Sequence, residues 1–388
     1  MKPHYRLIGV CVCAVLLAAC ATNKAVYPAV TTSHGPTGSL TALHVNPFIS
    51  REFVLVANQG SGNVSVYKVG HGGALTQVAG SPFVAGNGSG SVGVDQSGRF
   101  AYVSDQNYPQ QTGTISAYKI NPFSGVLTTV AGSPYTEGSS PYAVAVDPRA
   151  GKFVYVVNIF TNDVSAYKIN QRQGSLTQLR ASPFGAGGQP ETLAVDPLGR
   201  FLFVPNTETN NVSAYTINPT SGRLTQVAGS PFGAGTTPNS SAVDPRGLFL
   251  YVTNPNSGNI SGYAIDQISG ALTPLAGSPF TVGGTPSAVA LDPSGKFAYV
   301  VNGMGIFAYT IDPNSGALTQ VAGSPFGAGT AANRLTVDLL GSYLYVSKGT
   351  DDISGFAINP TTGALTTVAG SPFAGGSGPA GIAVWGSQ

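Results

Sequence analysis

One phrase recurs seven times in this chain and limits the folds that it can adopt. Its clearest mark is the tripeptide Ser-Pro-aromatic, which ends at Phe83, Tyr135, Phe184, Phe232, Phe280, Phe326 and Phe373. Successive copies are 52, 49, 48, 48, 46 and 47 residues apart. A period of this length indicates a repeat architecture in which each copy is one supersecondary unit. The seven copies fill residues 40–388.

Each copy contains four strand-like pieces. In the third copy these are residues 142–146, 153–158, 164–169 and 176–179, rich in β-branched and aromatic side chains. Asp147-Pro148 opens a tight turn between the first two pieces, since Asp and Pro suit the first two positions of a type I turn. Four strands in each of seven copies predict an all-β fold, a seven-bladed β-propeller of four-stranded antiparallel blades.

The composition agrees with this fold and excludes others. The chain has 52 Gly and 28 Pro, and only 9% of its residues are charged. Helix breakers at this density exclude a long-helix protein, and the low charge with 9% aromatics excludes disorder. We expect the third-strand aromatics to fill the gaps between blades rather than to stack on a ligand; they are Tyr67, Tyr118, Tyr167, Tyr215, Tyr263, Tyr309 and Phe356.

The pattern of the first strand occurs eight times, although a ring of seven blades needs only seven inner strands. The extra copies are residues 43–47 and 380–385, near the two ends of the chain. We expect the C-terminal copy to close the ring beside the strand at 53–58. The alternative, in which the N-terminal copy takes that place, stays open.

The first residues form a segment of a different kind. Lys2 and Arg6 precede an apolar run at 7–19, which is too short for an ordinary membrane-spanning helix and ends in Leu17-Ala18-Ala19-Cys20. This segment resembles a bacterial lipoprotein signal. The resemblance implies a signal peptide at 1–19, a lipidated Cys20 and a tether at 20–39. The chain would then be exported and lipid-anchored in the cell envelope, and Ala21 after the cysteine favours the outer membrane. An ordinary secretory signal is the alternative.

The charge balance and the positions of the cysteines limit the kinds of partner and metal site that we expect. Two of the 18 Lys and Arg residues lie in the signal segment, which leaves 16 against 16 Asp and Glu. This balance gives no electrostatic footprint for nucleic acid, and contact with a membrane is expected only through the lipid anchor. All three cysteines lie in 11–20, so we expect no disulfide and no thiolate metal site. The scattered histidines do not suggest a metal centre either, and we predict neither metal nor cofactor.

The second strands carry a resemblance to a known family. Tyr251-Val-Thr-Asn254 is one example, and Tyr155-Val-Val-Asn158 and Tyr299-Val-Val-Asn302 are close variants. These segments resemble the YVTN repeats of seven-bladed lactonase-like propellers, a family that includes bacterial 6-phosphogluconolactonases. The resemblance covers about residues 40–388. It implies the same fold and raises the prospect of a lactone-hydrolysing activity.

Function should lie where the copies differ, because a repeated residue serves the scaffold. Propeller ligands usually bind at one mouth of the central channel, beside the loops that lead into the first strands. Those loops contribute Tyr142, Glu191, Asn239, Asn333 and Arg334. The loops after the second strands should open on the same face; they contribute Asp105, Tyr108, Asn206, Glu208, Asn254 and Lys348.

A lactonase needs a base to activate water and a donor for the carbonyl oxyanion. The resemblance therefore assigns Arg334 to the oxyanion and Glu191 or Glu208 to the base, with the other mouth residues as ligand contacts. No loop at this mouth carries histidine, and an exported chain would not meet a phosphorylated cytosolic lactone.

Three functions stay open. The first is an envelope-anchored scaffold that binds a carbohydrate, a lactone or an envelope protein. The second is a hydrolase of an unphosphorylated sugar-type lactone. The third is a purely structural surface repeat.

Overall fold

The computed structural model describes residues 51–107, 112–137, 140–329 and 331–387. The predicted signal peptide, Cys20, the tether, the first-strand copy at 43–47 and Tyr108 lie outside the described residues. Within the described ranges, no helix has the length and hydropathy that a membrane span requires.

The described residues form seven antiparallel sheets, the blades of a β-propeller, which confirms the predicted fold. We number the blades along the chain by their second strands. The inner strands of blades 1 to 7 are Pro379–Ser387, Ser89–Val94, Pro141–Val146, Ala194–Val195, Ser240–Val243, Ala288–Leu291 and Ala332–Val337. The second strands are Arg51–Asn58, Phe100–Asp105, Phe153–Asn158, Phe201–Asn206, Phe249–Asn254, Phe297–Asn302 and Tyr343–Lys348.

The outer half of each blade is built in the same way. The third strands are Asn63–Val69, Gly113–Ile120, Asp163–Ile169, Asn211–Ile217, Asn259–Ile265, Gly305–Ile311 and Asp352–Ile358. The outer strands are Leu75–Gln77, Leu127–Thr129, Leu176–Gln178, Leu224–Gln226, Leu272–Pro274, Leu318–Gln320 and Leu365–Thr367. Two short 3₁₀ turns, His71–Gly73 and Pro255–Ser257, lie in loops.

The Ser-Pro-aromatic phrase adds a short fifth strand to most blades. These strands pair with the third strands and are Phe83–Val84, Tyr135–Glu137, Phe184–Gly185, Phe232–Gly233, Phe280–Thr281 and Phe373–Ala374. In blade 6, Phe326 makes a single bridge to Ile306 instead. The serine of the phrase makes the same bond in every blade. In blade 1, Ser81 Oγ accepts a hydrogen bond from the Val66 N–H at 2.9 Å, and the other blades repeat it. The bond satisfies a backbone donor that the short outer strand leaves unpaired.

The C-terminal strand closes the ring. Pro379–Ser387 pairs antiparallel with Arg51–Asn58, so blade 1 is assembled from both ends of the propeller. Phe53 stands opposite Trp385, and their rings stack with centroids 4.9 Å apart. The predicted closure by the C-terminal copy is therefore confirmed.

The cores lie between neighbouring blades. The third-strand aromatics are at most 4% exposed, which confirms that they pack between blades. Tyr67 Oη also donates to the Ala374 carbonyl of blade 7 at 2.8 Å. Second-strand tyrosines reach the next blade in the other direction; Tyr155 Oη, for example, donates to the Gly222 carbonyl at 3.0 Å. These bonds let a large aromatic side chain bury its hydroxyl without leaving it unpaired.

The turn between the inner and second strands depends on its aspartate. In five blades one carboxylate oxygen accepts the N–H of the first residue of the second strand; the acceptors are Asp95, Asp196, Asp244, Asp292 and Asp338. Asp147 is the exception, because residues 147–153 contain one residue more, and its Oδ1 accepts from the Arg149 N–H at 2.9 Å. The turn that the sequence predicts at Asp147-Pro148 is confirmed.

Candidate functional site

A cavity of about 230 Å³ lies on the propeller axis, near the ends at which the inner strands begin. Residues from six blades line it, because the inner strands run side by side around the axis. Most of the lining is small or aliphatic. Three larger polar side chains interrupt it: Tyr142 from blade 3, Glu191 from blade 4 and Arg334 from blade 7. The structure thus brings together three of the residues that the sequence places at the mouth.

Glu191 is the acid of this cavity. It lies between Pro190, which bridges to Asn206, and the inner strand Ala194–Val195. Burial raises the pKa of its carboxyl group, while Arg334 and the Thr207 hydroxyl act in the opposite direction. A carboxylate with a raised pKa accepts a proton more readily than an exposed one, which suits a general base.

Arg334 is the cation of this cavity and is held by backbone carbonyls. Its Nη1 donates to the Ser287 carbonyl at 3.1 Å and to the Asn333 carbonyl at 3.4 Å. The inner strand carries an irregularity between Ala332 and Arg334 where it pairs with the second strand. Arginine has five N–H donors, and within the described residues only those on Nη1 make hydrogen bonds, which leaves others for a ligand.

Tyr142 completes the polar set. Burial raises the pKa of its phenol, the Glu191 carboxylate raises it further, and Arg334 lowers it. The phenol is therefore a protonated donor at neutral pH. These effects show that the three side chains share one electrostatic environment.

Asn239 and Asn333 stand at the same mouth but do not line the cavity. The Asn239 amide is held on both sides: it donates to the Ser287 carbonyl at 3.2 Å and accepts from Thr253 Oγ1 at 2.8 Å. Asn333 offers its carbonyl to Arg334. Both residues therefore hold neighbouring inner strands together at the mouth, and a direct contact of either with a ligand stays a prediction.

Asn206 and Asn254 are fully buried inside their blades rather than at the mouth surface. Asn206 Nδ2 donates to Asn211 Oδ1 at 2.8 Å and to Ser213 Oγ at 2.9 Å. Asn254 repeats this pair of bonds with the corresponding residues of blade 5. These asparagines tie the second strand to the third, and neither lines the axial cavity.

Asp105 and Lys348 occupy the same place at the ends of their second strands. Asp105 is buried and accepts from Ser89 Oγ at 2.8 Å and Ser116 Oγ at 2.6 Å. Burial raises the pKa of its carboxyl group against the effect of these donors. Lys348 is 8% exposed and forms an ion pair with Asp352, with Nζ and Oδ1 3.0 Å apart. Their described contacts thus lie within the blades.

Glu208 lies apart from the cavity. It follows the second strand of blade 4, and its side chain is exposed. Its N–H donates to the Gly188 carbonyl at 3.1 Å, which fixes the loop but not the carboxylate. Of the two acids proposed as the base, only Glu191 shares the cavity with Arg334.

Sequence reasoning overlooked four hydroxyl groups of the cavity wall: Ser91, Thr192, Ser240 and Ser241. The last three lie one or two residues further along the chain than the entry residues predicted at the mouth. Thr192 Oγ1 and Ser241 Oγ are buried and have no hydrogen-bond partner among the described residues. No cluster of three or more His, Cys, Asp or Glu side chains able to hold a metal ion occurs in the described part of the chain.

Known proteins resemble this chain in family and in fold. The family model described as "Lactonase, 7-bladed beta-propeller" matches residues 78–185, 143–233, 189–285 and 277–380, which together span 78–380 of the 388 residues. No curated protein matches the sequence.

Several solved structures share the fold at low sequence identity. The periplasmic gluconolactonase PpgL of Pseudomonas aeruginosa has a TM-score of 0.73 at 20% identity, with 86% of this chain and 99% of that one covered. A protein provisionally assigned as a 6-phosphogluconolactonase, from Bacteroides uniformis, has a TM-score of 0.75 at 17% identity with the same coverage. A Lactobacillus plantarum protein has a TM-score of 0.70 at 19% identity, again with 86% and 99% covered. The family model matches most of this chain, and the chain therefore belongs to the lactonase family of seven-bladed β-propellers.

Proposed function

We propose that this protein hydrolyses an unphosphorylated sugar-type lactone in the axial cavity. The observation that carries the proposal is that one acid, one cation and one phenol share this cavity: Glu191, Arg334 and Tyr142. Acyl transfer to water needs a base and an oxyanion donor, and these residue types supply both.

Glu191 and Arg334 have distinct parts in the proposed reaction. The Glu191 carboxylate takes a proton from water as the water oxygen attacks the lactone carbonyl carbon. The Arg334 guanidinium donates to the oxygen that becomes negatively charged. The carbon–oxygen bond of the ring then breaks, and the proton held by Glu191 goes to the leaving ring oxygen. A positioned base contributes about 10²–10⁴ in rate and an oxyanion donor about 10²–10³.

The charged residues that line the cavity favour a substrate without a phosphate group. Arg334 is the one cation among the residues that line the described cavity. Phosphate groups are bound by charged donors such as arginine and lysine, and the lining of this cavity offers no second one besides the Arg334 that the carbonyl oxygen needs. One of the solved structures is named a periplasmic gluconolactonase, and that name agrees with an unphosphorylated substrate. At 20% identity the likeness shows only a shared fold.

Proton release on adding a panel of aldonolactones to the purified protein tests the proposal, with spontaneous hydrolysis subtracted. Glu191→Gln and Arg334→Ala should each lower kcat/KM at least about 100-fold. Arg172→Ala is the matched control for a lost arginine, since Arg172 is exposed in the turn before an outer strand. An inert wild type, or full activity in Glu191→Gln, would remove the proposal.

An envelope-anchored binding scaffold is the second candidate. Unpartnered wall hydroxyls favour it, because they would bind a carbohydrate without any chemistry. It predicts tight, saturable sugar binding that depends on the cavity residues, with no turnover. A purely structural repeat predicts neither binding nor turnover. In both cases the lipid anchor on Cys20 and the envelope location follow from the signal-like segment alone, and metabolic labelling with a fatty acid, with Cys20→Ala as control, tests them.

A further inference from the structure

One position of the inner strands departs from its repeat inside the cavity. The residue three places before the turn acid, or before Trp385 in blade 1, is aliphatic in six blades: Val92, Val144, Leu193, Val289, Leu335 and Ile382. In blade 5 it is Ser241. Its hydroxyl is buried without a partner among the described residues. A hydroxyl in this state costs roughly 1–3 kcal/mol compared with a paired one, so the packing of the hub does not explain it.

Thr192 of the neighbouring blade 4 is in the same state. Thr192 stands four places before the turn acid of its blade, and Ser91 and Ser240 occupy the same position in blades 2 and 5. Those two serve the fold: Ser91 Oγ accepts from the Val144 N–H and Ser240 Oγ from the Val289 N–H, each at 3.4 Å. Thr192 Oγ1 has no such bond in the described structure.

The two unpartnered hydroxyls line the same cavity as the proposed catalytic acid. Thr192 follows Glu191 directly in the chain, and Ser241 belongs to the adjacent inner strand. Both oxygens are buried in the structure, so each side chain must change its χ1 rotamer for the hydroxyl to reach a molecule bound in the cavity. Each hydroxyl both donates and accepts, which matches the hydroxyl groups of a sugar.

We propose that Thr192 and Ser241 form a subsite that binds the ring hydroxyls of an uncharged polyhydroxylated lactone and holds its carbonyl carbon near Glu191. The subsite rests on the proposed function and adds the basis of its specificity. A site built to bind substrate hydroxyls rejects an analogue that lacks them, because its own polar groups would then stay unpaired.

The test compares two lactones with the same ring. Glucono-δ-lactone carries hydroxyl groups around its six-membered ring, and δ-valerolactone carries none. Thr192→Val and Ser241→Ala each remove one hydroxyl with little change of shape. We expect each to lower kcat/KM for glucono-δ-lactone about tenfold and to leave kcat/KM for δ-valerolactone unchanged. Thr336→Val is the matched control, because Thr336 lies in the inner strand of blade 7 outside the cavity lining.

Thermal unfolding separates this role from a structural one. Removing an unpartnered buried hydroxyl should leave Tm unchanged or raise it, whereas removal of a scaffold hydroxyl should lower it. A lower Tm, or an equal loss with both lactones, would overturn the subsite. So would unchanged kcat/KM for glucono-δ-lactone in both variants.

If the wild type hydrolyses neither lactone, the proposed function fails, and calorimetric binding of gluconolactam, a non-hydrolysable analogue, decides the subsite. The subsite then requires binding that Thr192→Val and Ser241→Ala each weaken about tenfold. No binding by the wild type would overturn it as well.

Discussion

The junction between blades 1 and 7 contains two buried carboxyl groups, and replacing one of them should stabilise the protein in a pH-dependent way. Glu52 is 8% exposed, and its Oε1 accepts the Leu339 N–H of blade 7 at 2.7 Å. The neighbouring Asp338 is 1% exposed. Burial, and next the charge of Asp338, raise the pKa of Glu52 from 4.5 to about 7. Burial raises the pKa of Asp338 to about 6 despite its backbone donors.

The sign of the effect follows from which state holds the proton. Between pH 4.5 and about 7 the folded chain keeps a proton on Glu52 that the unfolded chain has lost. Stability from this group is therefore complete below pH 4.5 and is lost as the pH rises through 7. A shift of one pKa unit corresponds to about 1.4 kcal/mol, so by pH 8 the free energy of unfolding has fallen by about 3 kcal/mol through this group.

Glu52→Gln should remove this loss and keep the bond to Leu339, because the amide oxygen still accepts. We expect the variant to be about 2–3 kcal/mol more stable than the wild type at pH 8 and nearly equal to it at pH 4.5. Urea unfolding followed by tryptophan fluorescence measures this directly, because the chain's single tryptophan, Trp385, stacks on Phe53 at the same junction. The exposed Glu208→Gln serves as control. A difference between the two proteins that does not change with pH would refute the reasoning.

Three further changes have defined outcomes, as does the pH dependence of the reaction. Asp105→Asn should gain stability relative to the wild type as the pH rises and lose that advantage in acid, because burial raises the pKa of the carboxyl group; urea unfolding at two pH values checks this. Gly98→Ala should cost roughly 3 kcal/mol or more and alter tryptophan fluorescence, since φ is +65° and a Cβ would stand 1.4 Å from Trp385 Nε1. Gly72→Ala, at φ +73° with no atom near, should cost only about 1–2 kcal/mol in the same unfolding experiment. The rate of lactone hydrolysis should rise with pH through a midpoint above 4.5, because burial raises the pKa of Glu191; a pH–rate profile measures it.

The fold could be predicted because its rules recur six or seven times in the sequence. The turn acids, the inter-blade aromatics and the extra inner strand at the C-terminus repeat with one period, and a single exception such as Asp147 does not obscure the rule. Closure could be inferred as well, since one inner strand too many implies that one terminal copy completes blade 1.

The candidate site was harder to predict, because position along a strand does not tell which way a side chain turns. Asn206 and Asn254 end second strands at the mouth, yet both amides turn into the blade. The signal was present: asparagine recurs in that column at Asn58 and Asn158, and a recurring residue serves the scaffold. Thr192 and Ser241 were not predicted, because they lie one and two residues beyond the entry residues Glu191 and Asn239 and no charge marks them.

Two groups of departures from the repeat can be compared, and only one of them has a structural cause. Glu52 and Trp385 stand at the junction of blades 1 and 7, where the two ends of the propeller meet and no other blade sets the requirements. Glu191, Thr192 and Ser241 stand in blades 4 and 5, where each inner strand has ordinary neighbours on both sides. Closure of the ring therefore explains the residues of the first group but not those of the second. Departures from a fold's own rules that have no structural cause are expected at functional sites, and this is why we place function at the axial cavity.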